Sequence, residues 1–228
     1  MATFPKYVEI WRNLLADAAP DLPTDFLLAW INKESAGNMC SFTSYHEAGI
    51  FQLMPPDNTR DGGTTEEALR AACNPGVQTF ARDPTADEKM VQITSGVRYV
   101  RHVRDVARKR LAAVGANWSE SSADFWSMVK LVHTLPSLLN GLEIAKKALG
   151  RAPANWAEFV QNGAQNLNGA SKWLPFAAGI GAYGAGFLAS PLTALTSISG
   201  AEIVLTVLGL AAGTVGAIYF NRWLGEHV

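Results

Sequence analysis

Apolar residues recur at helical spacing through most of this chain. Val8, Ile10, Trp11, Leu14 and Leu15 form the stripe of a first helix over residues 5–18. Ala19-Pro20-Asp21-Leu22-Pro23 breaks it. Thr24 or Asp25 caps a second helix that runs to about Glu34, with Phe26, Trp30 and Glu34 four apart on one face. Residues 35–64 are rich in Gly, Asn, Ser and Pro and read as loop, and 65–73 suggest a short helix. A long helix is expected from about Ala86 to Ala113, with an apolar set that includes Met90, Ile93, Val97, Val100, Val103 and Leu111, and with Arg98, Arg101, Arg104 and Arg108 in a basic row. Another helical region covers Ser122 to Leu149, interrupted near Pro136. Pro153 suits the first turn of a helix ending near Leu167. No strand series, heptad pattern or internal repeat appears. The expected class is mainly α.

The pattern changes after Lys172. Of 39 charged side chains, only Glu202, Arg222 and Glu226 lie beyond it. Trp173 to Ala201 carries no charge, and neither does Ile203 to Asn221. A 19-residue helix spans roughly 28 Å, close to the hydrocarbon thickness of a bilayer. Gly209, Gly213 and Gly216 present a small-residue face, and Tyr219 and Trp223 suit a membrane interface. Residues 1–168 therefore read as one α-helical domain and 169–228 as a glycine-rich hydrophobic tail of one or two transmembrane helices. A buried helical pair in a larger assembly is the competing reading. Gly179-Ile180-Gly181-Ala182-Tyr183-Gly184 matches a dinucleotide fingerprint by letters alone, and the missing βαβ context excludes it.

A net charge of −1 points to no strongly charged partner, and no nucleic-acid binding is inferred. The basic row either tracks an anionic wall polymer or lipid heads, or is a solvated helix face. Cys40 and Cys73 either bridge, if the fold brings them together, or remain thiols. His and Cys show no metal-ligand spacing, so no metal or cofactor is expected. The N-terminal Met-Ala-Thr-Phe-Pro-Lys-Tyr has no basic segment followed by an apolar one, so no secretory signal is expected.

The chemistry concentrates at Glu34. A carboxyl at the end of an apolar helix, beside Trp30, is expected to be partly buried and to have a raised pKa, which keeps a general acid protonated. Glu34-Ser35 is followed by Gly49-Ile50-Phe51-Gln52-Leu53-Met54-Pro55. This stretch resembles the Glu-Ser … Gly-Leu-Met-Gln-Leu-Met-Pro signature of the lytic transglycosylases, relatives of goose-type lysozyme that cut bacterial peptidoglycan. Gln52 and Pro55 fall at the family spacing from the glutamate. Gln92-Ile93-Thr94-Ser95-Gly96-Val97-Arg98-Tyr99-Val100 resembles the second family motif, Asn-Ile-x-x-Gly-x-x-Tyr-Leu.

The resemblance covers roughly residues 22–140 and implies a lysozyme-like fold. It implies that Glu34 protonates the leaving glycosidic oxygen, then takes the proton of the sugar's own C6 hydroxyl as a 1,6-anhydro ring closes. Ser35 would support the glutamate, and Gln52 would hold substrate or loop. Gly49 would allow close backbone approach, and Met54 would shape the cleft. Tyr99 belongs to the second motif. Thr43-Ser44-Tyr45-His46-Glu47 replaces the family's Ser-x-x-Gly-Ala turn, and there Glu47 either binds sugar, acts as a second catalytic group or is a solvated loop residue. Leu131 to Ser137 replaces the third motif. It puts Val132 where the family has a tyrosine, so His133 either takes over that hydrogen bond, contacts sugar or is structural. The product is either anhydro or hydrolytic.

The expected function is cleavage of the MurNAc–GlcNAc β-1,4 linkage of peptidoglycan strands. The missing signal and the apolar tail suggest a bacteriophage virion protein that opens the wall for genome entry, membrane-associated through residues 173–221, with other virion proteins or further copies as partners. A cellular transglycosylase of a secretion or conjugation system is a second origin. A structural channel or scaffold with a degenerate site is the alternative from another class.

Overall fold

The computed structural model describes residues 2–54, 73–74, 79–80 and 85–185, and these are mainly α-helical. The chain separates into Met1–Leu188 and Ala189–Val228, and the second unit lies outside the described residues. The expected short helix at 65–73 and Pro55 also fall outside them, except that Cys73 belongs to a small antiparallel pair, β1 (Cys73–Asn74) and β2 (Thr79–Phe80).

The first apolar stripe forms two short helices instead of one, α1 (Lys6–Glu9) and α2 (Arg12–Ala18). The break lets Trp11 turn inward and donate its indole N–H to the carbonyl of Gly37 at 3.1 Å. α3 (Thr24–Glu34) follows Pro23 with no side-chain cap. Asp25 pairs instead with Arg12, at 2.6 Å. Phe26 and Trp30 are fully buried, their rings edge to face at 5.8 Å, so the expected face of α3 is the core face.

α4 (Ala86–Val114) is the long helix the pattern predicts. A reciprocal capping box between Thr85 and Glu88 starts it, and Gly115 in the left-handed region ends it. Its basic row is largely committed to acidic neighbours. Arg101 and Arg104 bond Asp21 at 2.5 and 3.1 Å, and Arg108 bonds Asp105 and Glu120. That pairing fits a solvated helix face better than a track for an anionic polymer.

α5 (Ala123–Thr134) is capped by Ser122 and buried along nearly its whole length. Pro136 ends it in a 3-10 turn over Pro136–Asn140, and α6 (Gly141–Leu149) follows. α7 (Trp156–Phe159), capped by Asn155, runs into a π turn over Val160–Ala164.

The membrane-crossing tail is corrected. Among the described residues no helix is long and apolar enough to cross a membrane. The charge-free run begins with α8 (Ala170–Gly181), whose 12 residues reach about 18 Å. Leu174, Ala177 and Ile180 of α8 are buried in the core shared with α5. A Cβ on Gly181 would stand 2.2 Å from the Ser127 hydroxyl, and one on Gly184 would stand 2.1 Å from the Trp126 ring. Gly181 lets two backbones approach inside the domain, and Gly184 makes room for the Trp126 side chain. The membrane as partner through 173–221, and a membrane-associated location, are corrected with the tail. The second apolar run, Ile203–Asn221, lies outside the described residues.

Candidate active site

Glu34 closes α3 where the chain turns sharply, with Ala36 and Gly37 at positive φ. Ser35, 9% exposed, stitches that turn to the next one. Its hydroxyl donates to the carbonyl of Ile50 at 2.8 Å and accepts from the Gly37 amide at 3.1 Å. It therefore positions the loop behind the glutamate, and it does not line the cleft in front.

Residues 49–52 form a tight loop closed by two backbone hydrogen bonds between Ala48 and Leu53. Gly49 has a φ of 78°, and a Cβ there would stand 2.0 Å from the side-chain oxygen of Gln92. That oxygen accepts from the Ile50 amide at 3.2 Å. Gln52 is 3% exposed, and its amide donates to the carbonyls of Gly49 and Ser41 at 2.7 and 2.9 Å. Residues 92–99 of α4 are built against this loop. Gln92 ties α4 to this loop, and Gly96 leaves room for the Phe51 ring. Tyr99 places its hydroxyl 3.2 Å from His133 Nδ1.

A cleft of about 470 Å³ opens in front of Glu34. Glu47, Gln52, Met54, Tyr99 and His133 line it, so these expected site residues are brought together around the glutamate. Glu47 accepts a hydrogen bond from the Thr43 hydroxyl at 2.9 Å, which makes it an anchored carboxylate. Met54 is half exposed at the rim. Val132 is buried, at the position that carries tyrosine in the resembled motif. His133, one residue on, puts Nε2 3.5 Å from a Glu34 oxygen, and its ring lies 4.7 Å from that of Trp30.

The charge state of Glu34 differs from the expectation. Lys130, fully buried on α5, bonds the Glu34 carboxylate directly, with its ammonium 3.8 Å from the centre of the Trp30 ring. Burial pushes the Glu34 carboxyl up, but the Lys130 ammonium and His133 together more than reverse this, and its pKa falls to about 2. Burial likewise pushes Lys130 down, to about 8, against the opposing pull of Glu34 and, further off, Glu47. The partial burial of Glu34 was legible, with a side chain 19% exposed. The ammonium beside it was not.

The far wall of the cleft comes from α8, in the segment read as tail. Trp173 and Phe176 pack edge to face at 5.6 Å, and Lys172 holds its ammonium 4.2 Å from the Trp173 ring. The signal that could have found them is the spacing of Trp173 and Phe176, three residues apart and so on one helix face. Cys40, six residues after Glu34, is bridged to Cys73. Among the described residues no cluster of His, Cys, Asp and Glu could hold a metal ion.

No family model, curated protein or solved structure matches this chain.

Proposed function

We propose that this chain cleaves the β-1,4 glycan backbone of peptidoglycan, with Glu34 exchanging protons with the scissile linkage. The observation that carries the reading is Glu34 itself, a largely buried carboxylate lining a cleft together with Gln52, Glu47 and Tyr99. Trp173 and Phe176 supply an aromatic wall suited to the apolar faces of sugar rings. Glycoside cleavage ordinarily uses two carboxyl groups, and Glu47 lines the same cleft as the second. Where Glu34 serves alone, the sugar's C6 hydroxyl is the nucleophile and the product carries an anhydro ring. Where Glu47 activates water, the product carries a reducing end.

A scaffold domain with a silent site is the second reading. The bond between Lys130 and Glu34 favours it, because a general acid must carry a proton and this carboxylate is held ionised.

Digestion of purified peptidoglycan separates the two. Wild type is expected to clear the wall, and Glu34→Gln to lose at least about 100-fold of that activity, the usual scale for one acid–base group. Mass spectrometry of the fragments then identifies anhydro or reducing ends. Equal clearing by both proteins, or none by either, would sink the enzyme reading.

A further inference from the structure

We propose that Lys130 is a positioning residue that completes the acid. Glu34 and Lys130 carry one dissociable proton between them, held on Lys130 Nζ at rest and delivered to the leaving oxygen through Glu34 Oε1. The inference rests on the glycan-cleaving reading.

Three observations carry it. Lys130 is fully buried, bonded to Glu34 Oε1 and enclosed by the rings of Trp30 and Phe176, at 3.8 and 5.4 Å from Nζ. Its route to the cleft therefore runs through the carboxylate. Glu34 retains its remaining exposure on the cleft side, so a glycan bound there removes the last water from the pair. Drying favours the neutral pair, carboxylic acid beside amine, over the charged one. Among the described residues, the other titratable groups that line the cleft beside the pair come from several elements. His133 comes from α5 itself, Tyr99 from α4, Glu47 from the 43–47 turn, Lys33 from α3 and Lys172 from α8. Lys33 and Lys172 are exposed, and among these groups the only carboxylate besides Glu34 is Glu47.

The step balances within the site. An Nζ–H bond breaks as an O–H bond forms on Glu34, leaving a neutral amine. That O–H then breaks to protonate the glycosidic oxygen, and the electron pair of the C1–O bond leaves with the oxygen as an alcohol. A hydroxyl, from the sugar or from water, bonds C1 and returns its proton to the Glu34 carboxylate, from which it passes back to Lys130. Nothing is oxidised or reduced.

The lysine matters because its proton is removable. Burial brings its pKa down to about 8, whereas arginine would keep its proton throughout. The wild-type rate should therefore hold through neutral pH and fall as pH rises through about 8, where the shared proton leaves.

The test uses the whole chain and two readouts. The first is independent of activity. By nitrogen and carbon NMR of free wild type, Glu34 should stay ionised across pH 4–8 while Lys130 loses its proton well below the ordinary lysine range. In Glu34→Gln, Lys130 should lose it at lower pH still, since the carboxylate that holds the proton is gone. The second readout is the pH profile of kcat/KM on purified peptidoglycan. Lys130→Arg should fall at least 100-fold in kcat at pH 7. Lys130→Met should keep activity at acid pH, with its alkaline limb displaced to lower pH, because a buried carboxyl without its ammonium becomes an acid on its own. Thermal melts establish that each variant is folded. If arginine fails to fold, the methionine profile decides alone.

A folded arginine variant with wild-type rate and profile overturns proton sharing and leaves glycan cleavage standing. So does free wild type in which Glu34 is protonated at neutral pH. Wild type that shows the NMR signature yet cuts no glycan at any pH overturns proton delivery and the glycan-cleaving reading together.

Discussion

Gly96→Ala is the substitution whose sign the structure sets against ordinary expectation. A glycine in an exposed helix interior costs about 1 kcal/mol relative to alanine, so the exchange should stabilise a helix by about that much. Gly96 faces the core from the middle of α4. A Cβ there would stand 2.0 Å from Cδ2 and 2.2 Å from Cε2 of Phe51. Carbon atoms rest about 3.5–4.0 Å apart, so the ring must withdraw by roughly 1.5 Å. Phe51 is 2% exposed and packs against Trp30, with ring centres 6.3 Å apart, so there is no open space to enter. Overpacking of this kind costs about 1–3 kcal/mol, against the helical gain of about 1 kcal/mol. The expected net effect is a destabilisation of up to about 2 kcal/mol, read as a lower urea midpoint at unchanged slope. Activity should fall as well, because Phe51 lies between Ile50, which Gln92 holds, and Gln52, which lines the cleft. Gly179→Ala on α8 is the control. Nothing lies within 4 Å of a Cβ at that position, and the variant should be neutral or slightly more stable. A Gly96→Ala protein as stable as the control variant would refute the packing of Phe51 on α4, and with it the account of the second motif.

Two further outcomes follow from the site. The Cys40–Cys73 bridge closes a segment with a sequence separation of 33, and a crosslink of that span stabilises by roughly 3–4 kcal/mol on the chain-entropy account. Reductant should therefore lower the melting temperature by several degrees and loosen the loop bearing Gln52, and an unchanged melt would contradict the bridge. Trp173→Ala should weaken binding of N-acetylglucosamine oligomers to a Glu34→Gln background by roughly tenfold, about 1.4 kcal/mol by calorimetry. Unchanged affinity would remove α8 from the substrate wall.

What was legible in the chain follows from how local each signal is. The bounds read for α4 from its apolar periodicity fall within a residue of the helix, whose ends are fixed locally, by Thr85 with Glu88 at one end and Gly115 at the other. The face carrying Phe26, Trp30 and Glu34 is a matter of spacing alone, and it packs as read. The state of Glu34 is not local. It depends on Lys130, a residue 96 positions away that enters on another helix. Even so, a trace of it was in the sequence. Lys130 is the one cation in the run from Phe125 to Val132, which is otherwise apolar but for a serine, and a lysine in a buried stripe needs a carboxylate partner. Asking which carboxylate was itself expected to be buried leads to Glu34.

The apolar run after Lys172 misled for a different reason. Charge-free, glycine-rich composition suits a helix packed against lipid and equally one packed against another helix of the same domain, since both require small residues where backbones approach. The deciding information is what the glycines meet: Gly181 of α8 meets Ser127 of α5, and Gly184 in the turn after it meets Trp126. The same packing explains why the site needs this helix. α5 carries Lys130 and His133, and α8 covers α5 while presenting Trp173 and Phe176 to the cleft. The ring of Phe176 also closes over the Lys130 ammonium. A chain ending at Gly169 would lose the aromatic wall and open the lysine to water, returning its pKa toward the ordinary range and unmaking the pair with Glu34.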